Sequence, residues 1–208
     1  MKRLYRKIDK ELIPNMPRLK FEGRIYTIQS ASEAERAVNA LRGEPIVGID
    51  TETRPSFRKG RVNTVALLQV STYDLCFLFR LNHFGLTPPV RELLEDEKLL
   101  KVGLSLHDDK HSLLRRGNFQ PRNWLDLQDY VKLLGIEDMS LLKLCANVLG
   151  RRISKTARLS NWEADVLTDA QKSYAATDAY VCLLLYDELR QLRRTGEYEV
   201  IDTPATSA

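Results

Sequence analysis

The stretch Pro45-Ile46-Val47-Gly48-Ile49-Asp50-Thr51-Glu52-Thr53 constrains the fold more than any other, because an apolar run there ends abruptly in two carboxylates. Ile46, Val47 and Ile49 are β-branched and lie between Gly43 and an Arg54-Pro55 turn signal, the signature of a short strand buried on both faces and so central to a sheet. Side chains alternate along a strand, so Asp50 and Glu52 project from one face, about 6.6 Å apart at the backbone. Their oxygens can converge on one cation. A lone D-x-E is more often a solvated strand end, so a metal reading needs further acids downstream.

The flanking pattern supplies the architecture. Residues 23–28 read as an edge strand, followed by a helix with a Ser32/Glu35 capping box and a Gly43 stop. After a charged loop over 54–63, with Arg58, Lys59 and Arg61, two β-rich runs at 64–70 and 75–80 complete an antiparallel meander. An amphipathic helix is expected over 90–99. A second apolar strand, 101–106, leads into His107-Asp108-Asp109 and a helix to about Arg116. Leu125-Asp126-Leu127 starts another strand-to-helix unit, 140–149 is an apolar helix stopped by Gly150, and Thr168/Gln171 caps a long helix to about Arg194. The order predicts a single α/β domain whose mixed sheet of five to six strands carries helices on both faces. Acids at the ends of two apolar strands then meet at one sheet edge, where open α/β sheets place their sites.

In 208 residues, 43% of them hydrophobic, there is room for one substantial core. The three cysteines, Cys76, Cys145 and Cys182, are far apart in apolar surroundings and exclude a disulfide framework or a C-x-x-C site. With no apolar segment of signal or membrane-spanning length, a cytoplasmic protein is expected. The net charge of +4 is uneven: residues 1–20 hold seven basic side chains against Asp9 and Glu11, leaving the remainder near −1. We therefore expect a basic arm over 1–22, able to touch nucleic acid or merely solubilising, a domain over 23–194, and a disordered tail over 195–208.

Tyr174 and Asp178, four residues apart, share a face of the last helix that Val181 and Leu185 continue toward the core. An inward aspartate is costly unless it is paired or binds a cation. Asp50, Glu52, Asp109 and Asp178 form an oxygen-only set suited to hard Mg²⁺ or Mn²⁺ ions, and their mutual repulsion makes occupancy by two cations the consistent state. Zinc is disfavoured, since His83, His107 and His111 are the only histidines and show no ligand spacing.

Val47-Gly48-Ile49-Asp50-Thr51-Glu52 with Val65-Ala66-Leu67-Leu68-Gln69-Val70, Lys101-Val102-Gly103 through Asp109, Leu159-Ser160-Asn161-Trp162, and Tyr174-Ala175-Ala176-Thr177-Asp178-Ala179-Tyr180 together resemble the DEDDy branch of the 3′-5′ exonucleases. The stretches are similar to the Werner-syndrome-type exonuclease domain and, behind it, to ribonuclease D and the proofreading domain of family A DNA polymerases. The resemblance covers about residues 25–192. It implies a ribonuclease H-like fold in which Asp50, Glu52, Asp109 and Asp178 hold two divalent cations and Tyr174 positions the attacking water. Asp109 is preferred to Asp108 because it stands six residues after Gly103, as in the family pattern. The histidine branch would carry His where Ser173 stands. The implied reaction is in-line hydrolysis at single-stranded 3′ ends, releasing nucleoside 5′-monophosphates.

For substrate contact the resemblance points to backbone near Thr51 and Thr53, and to Ser105 where polymerase-type relatives carry Asn. Arg151, Arg152, Lys155 and Arg158 form a basic run suited to phosphates. His111 departs from the Trp of the Werner type. Trp162 is read as packing and Trp124 and Tyr130 as core. The alternatives are a ribonuclease D-like RNA-trimming enzyme, which usually appends helical domains not seen after Arg194, and a catalytically silent nucleic-acid-binding module, which predicts loss of a ligand. Phosphotransfer from Asp50 would need Asp at position 52, and a glycosidase would need carboxylates flanking its substrate.

Overall fold

The computed structural model describes residues 1–56, 60 and 63–202. Strand β1 (Lys2–Tyr5) and a 3₁₀ turn (Lys10–Asn15) precede β2 (Arg24–Ile28), α1 (Ala31–Leu41), β3 (Ile46–Thr53), β4 (Val65–Ser71) and β5 (Leu75–Phe79). There follow α2 (Leu81–Phe84), α3 (Pro88–Glu95), β6 (Leu100–Gly103), α4 (Leu106–Leu114), β7 (Trp124–Asp126), α5 (Leu127–Lys132), α6 (Leu141–Leu149), α7 (Asp169–Thr195) and β8 (Tyr198–Ile201).

Six strands form one mixed sheet in the order β2-β5-β4-β3-β6-β7, with β3 and β5 antiparallel to β4 and the other pairs parallel. The acid-bearing strand is central, as its apolar run requires. One face carries Val47, Ile49, Leu68 and Val70 against Ala34, Val38 and Leu41 of α1 and Val90, Leu93 and Leu94 of α3. On the opposite face α7 lies across the sheet, with α6 beside it, burying Val102, Leu144, Val148, Val181 and Leu185. The α/β architecture with helices on both faces is thus as expected. Among the described residues no helix is long and apolar enough to cross a membrane.

Small residues set the spacing between the last helix and the sheet. Ala175, Ala176 and Ala179 of α7 are fully buried, and a Cβ built on Gly48 would lie 1.9 Å from the Ala179 carbonyl oxygen. Helix and strand backbones therefore touch where any larger residue would separate them.

Several local expectations shift. The first helix is capped by Ser30, whose hydroxyl accepts from the Glu33 amide, instead of by Ser32. Ser30-x-x-Glu33 has the same spacing as Ser32-x-x-Glu35, and the Glu33 carboxylate reaches back to the Gln29 amide at 2.7 Å. Helix α3 ends at Glu95, before the residue Leu99 expected from the pattern, although Leu99 is itself buried. Strand β6 stops at Gly103 because Ser105 turns the chain in the left-handed region (φ 62°), so Asp108 and Asp109 sit in the first turn of α4. Arg58, Lys59 and Arg61 lie outside the described residues.

The largest correction concerns the two ends. Residues 2–5 of the expected arm pair in parallel with residues 198–201 of the expected disordered tail. Leu4 is fully buried, and Asn147 brackets Tyr5 by accepting from its amide (2.8 Å) and donating to its carbonyl (2.6 Å). Lys2 pairs with Glu188, Arg3 with Glu199 (2.8 Å), Arg6 with Asp202 (2.9 Å) and Lys7 with Glu137 (2.9 Å). Much of the basic surplus is thus matched by acids within the fold.

Candidate active site

Asp50 and Glu52 leave β3 on the face covered by α7, and Asp178 descends from α7 to meet them. Each offers a carboxylate oxygen, and the three oxygens lie within 4.8 Å of one another. The close approach at Gly48 makes this possible, since Asp178 immediately precedes the Ala179 whose carbonyl touches that glycine. Asp178 is 6% exposed, and its Oδ1 has no hydrogen-bond partner. The Tyr174 hydroxyl, one helical turn earlier, donates to the Asp178 carboxylate. Trp162, fully buried, packs on the Tyr174 ring at 6.0 Å between centroids, as the packing reading requires.

Asp109 stands beside this trio instead of within it. Its Oδ1 accepts from the hydroxyl of Thr51, the residue between the two strand acids, and its charge is felt by Asp50 and Glu52. Asp126 orients the turn that carries it, accepting from the Ser105 amide (3.0 Å) and the Leu106 amide (2.7 Å). The sequence reading overlooked Asp126, although an acid closing a strand just ahead of a helix is a capping signal.

Without a counter-charge the acids titrate higher than free carboxyls. Burial, then the charges of Asp109, Asp178 and Glu52, push Asp50 well above the carboxylate range. Burial followed by Asp178 and Asp109 raises Glu52 to about 9, with Arg158 pulling the other way. Burial raises Asp178 to about 7 against the opposing Tyr174 hydrogen bond. Asp109 rises to about 6 through burial, opposed by the Thr51 hydroxyl. An oxygen-only donor set, an unpartnered buried carboxylate oxygen and this repulsion fit a divalent cation.

The expected substrate residues divide. Thr53 is half-buried at a β-bulge ending β3, and Thr51 is engaged with Asp109. Ser105 contributes a backbone turn. The Arg152 guanidinium donates to the Met16 carbonyl at 2.9 Å, a structural contact. Arg158 is exposed and close enough to act on Glu52, whereas Arg151 and Lys155 are exposed with no side-chain ion pair among the described residues. Two buried groups escaped sequence reasoning. Arg80, fully buried, donates to the carbonyls of Ala164 and Asp165, fixing the loop that follows Trp162. Gln69, fully buried opposite Asp50 in the β3–β4 ladder, has no partner for either amide atom.

Comparison with known proteins agrees with this geometry. A sequence model described as 3′-5′ exonuclease matches residues 25–193. The chain is 33% identical over 193 residues to the mouse bifunctional 3′-5′ exonuclease/ATP-dependent helicase WRN, covering 88% of this chain and 14% of that protein. It is 33% identical over 196 residues to a 3′-5′ exonuclease of Arabidopsis thaliana, covering 86% of this chain and 67% of that protein. Among solved structures it shares the fold of Escherichia coli RNase D, an exoribonuclease involved in structured RNA processing, with a TM-score of 0.74 at 20% identity, over 82% of this chain and 45% of that one.

Proposed function

Because the chain belongs to the 3′-5′ exonuclease family, we propose that it removes nucleotides from single-stranded 3′ ends, DNA in preference to RNA, releasing nucleoside 5′-monophosphates. Asp50, Glu52 and Asp178 would hold one Mg²⁺ or Mn²⁺, and Asp50 with Asp109 a second. When bound, such ions supply Lewis-acid stabilisation of phosphoryl and leaving-group charge and lower the pKa of water. The remaining work falls to side chains. Burial and the neighbouring carboxylates hold the Tyr174 phenol above its ordinary pKa, so it stays protonated. It therefore orients water through its hydroxyl and does not act as the base. Arg158, beside Glu52, offsets the repulsion an incoming phosphodiester meets from the acids.

The observation that carries this reading is the convergence of three carboxylates from a central strand and a separate helix, with a phenol on one of them. The 30% identity over 158 residues to the DNA polymerase I of Aquifex aeolicus favours DNA, while the fold shared with an exoribonuclease supports RNA trimming as the second reading. Incubation with 5′-labelled DNA and RNA oligonucleotides in Mg²⁺, Mn²⁺ or EDTA, alongside Asp178→Ala, decides both. The expected result is a metal-dependent ladder shortening from the 3′ end, stronger on DNA and absent in the variant. Degradation persisting in EDTA would reject the assignment.

A further inference from the structure

A cavity of about 170 Å³ opens on the flank of Tyr174. Arg18 and Lys20 line it from the N-terminal segment, Ser154 and Thr156 from the basic loop, and Ser173 and Tyr174 from α7. Backbone contacts fix these walls. The Leu19 amide donates to the Arg152 carbonyl (2.8 Å), the Arg152 amide to Pro17 (3.0 Å), and the Phe21 amide to the Thr177 hydroxyl (3.1 Å).

The N-terminal charges fall into two groups. Lys2, Arg3, Arg6 and Lys7 are matched by acids, while Lys10, without an ion pair among the described residues, does not line the cavity. Arg18 has no ion pair among the described residues, and Lys20 has a single loose contact, 3.9 Å from the exposed Glu22. Two such cations with the hydroxyls of Ser154, Thr156 and Ser173 form an anion-binding set of the kind that grips nucleic-acid backbone. The cavity is roomy enough for a phosphate and its ester oxygens.

We propose that this cavity is a phosphate subsite for the single strand whose 3′ end lies at Tyr174, gripping a phosphodiester upstream of the scissile one through Arg18 and Lys20. This rests on the exonuclease reading for its substrate, and binding can be measured apart from cleavage. Arg18→Gln/Lys20→Gln and, as a distant charge control on α1, Arg36→Gln are compared with wild type on a single-stranded 12-mer and on a dinucleotide. The double variant is expected to raise KM for the 12-mer about tenfold, with kcat within about twofold, and to flatten the log–log salt dependence by about 0.7 for each phosphate left without its cation. KM for the dinucleotide, whose one phosphodiester is the scissile one, does not follow, and Arg18→Lys recovers most of the loss. Anisotropy of a fluorescein-labelled 12-mer in EDTA reports binding without cleavage. Should wild type cleave while the double variant matches Arg36→Gln in KM and salt slope, the subsite is wrong and the nuclease reading stands. Should wild type cleave nothing while 12-mer binding still weakens in the double variant, the subsite stands and the nuclease reading falls. Unchanged binding and no cleavage overturn both.

Discussion

Asp178 is held where its charge is costly: 6% exposed, one oxygen unpartnered, two carboxylates within 4.8 Å. Asp178→Asn should therefore separate stability from activity. Hydrolysis is expected to fall more than about 100-fold, beyond the loss from removing an outer-shell partner of a metal ligand. The metal-free variant should melt about 2–4 °C higher at pH 8, a gain of about 1 kcal/mol from relieved repulsion. A lower melting temperature in calorimetry would show that the carboxylate is structurally required. Tyr174→Phe keeps the ring against Trp162 and removes only the hydroxyl. Its kcat should drop about 100-fold, the scale for losing the correct placement of a reactant, with an unchanged melt. These two side chains were readable because their four-residue spacing on an apolar helix face is a local signal. Gln69 was not, since a lone amide in an apolar strand acquires meaning only when its ladder partner is known to be Asp50.

The contact of α7 with β3 is the element on which the site depends. Gly48→Ala places a methyl group 1.9 Å from the Ala179 carbonyl, so the helix must lift and carry Asp178 away. A loss of about 3 kcal/mol in urea unfolding is expected, with activity falling even where the protein remains folded. Full activity with native stability would mean that the helix position is not what assembles the acids. The antiparallel meander of β3, β4 and β5 beside this contact follows from apolar runs and turn signals, which act over a few residues. Helix boundaries were harder because competing signals share a spacing: Ser30 and Ser32 each have a glutamate three residues on, and only the backbone conformation at Ser30 decides which one caps.

For the molecule as a whole, the clustered acids link stability to pH and to cations. Glu52 at about 9, Asp178 at about 7 and Asp109 at about 6 all titrate higher folded than unfolded. The native state then binds protons that the unfolded chain has released, so stability falls as pH rises from about 4 to about 9. Metal-free protein should show a lower urea midpoint at pH 8.5 than at pH 5.5, and Mg²⁺ should restore more at the higher pH. A midpoint that rises with pH would contradict the acid cluster. The clasp between the two ends makes a separate prediction. Leu4→Ala should cost about 2–5 kcal/mol although it lies outside the six-stranded sheet, whereas Arg3→Ala, in an exposed ion pair, should cost under about 1 kcal/mol by the same unfolding measurement. Pairing across 196 residues leaves no trace in local pattern, which is why a basic arm and a loose tail were expected instead.

The parallel ladder between residues 2–5 and 198–201 also imposes an order on assembly during translation. A ribosome releases the first of these strands nearly two hundred residues before its partner. Throughout that interval the edge of the first strand must wait unpaired, and the clasp closes only when the second strand has left the exit tunnel.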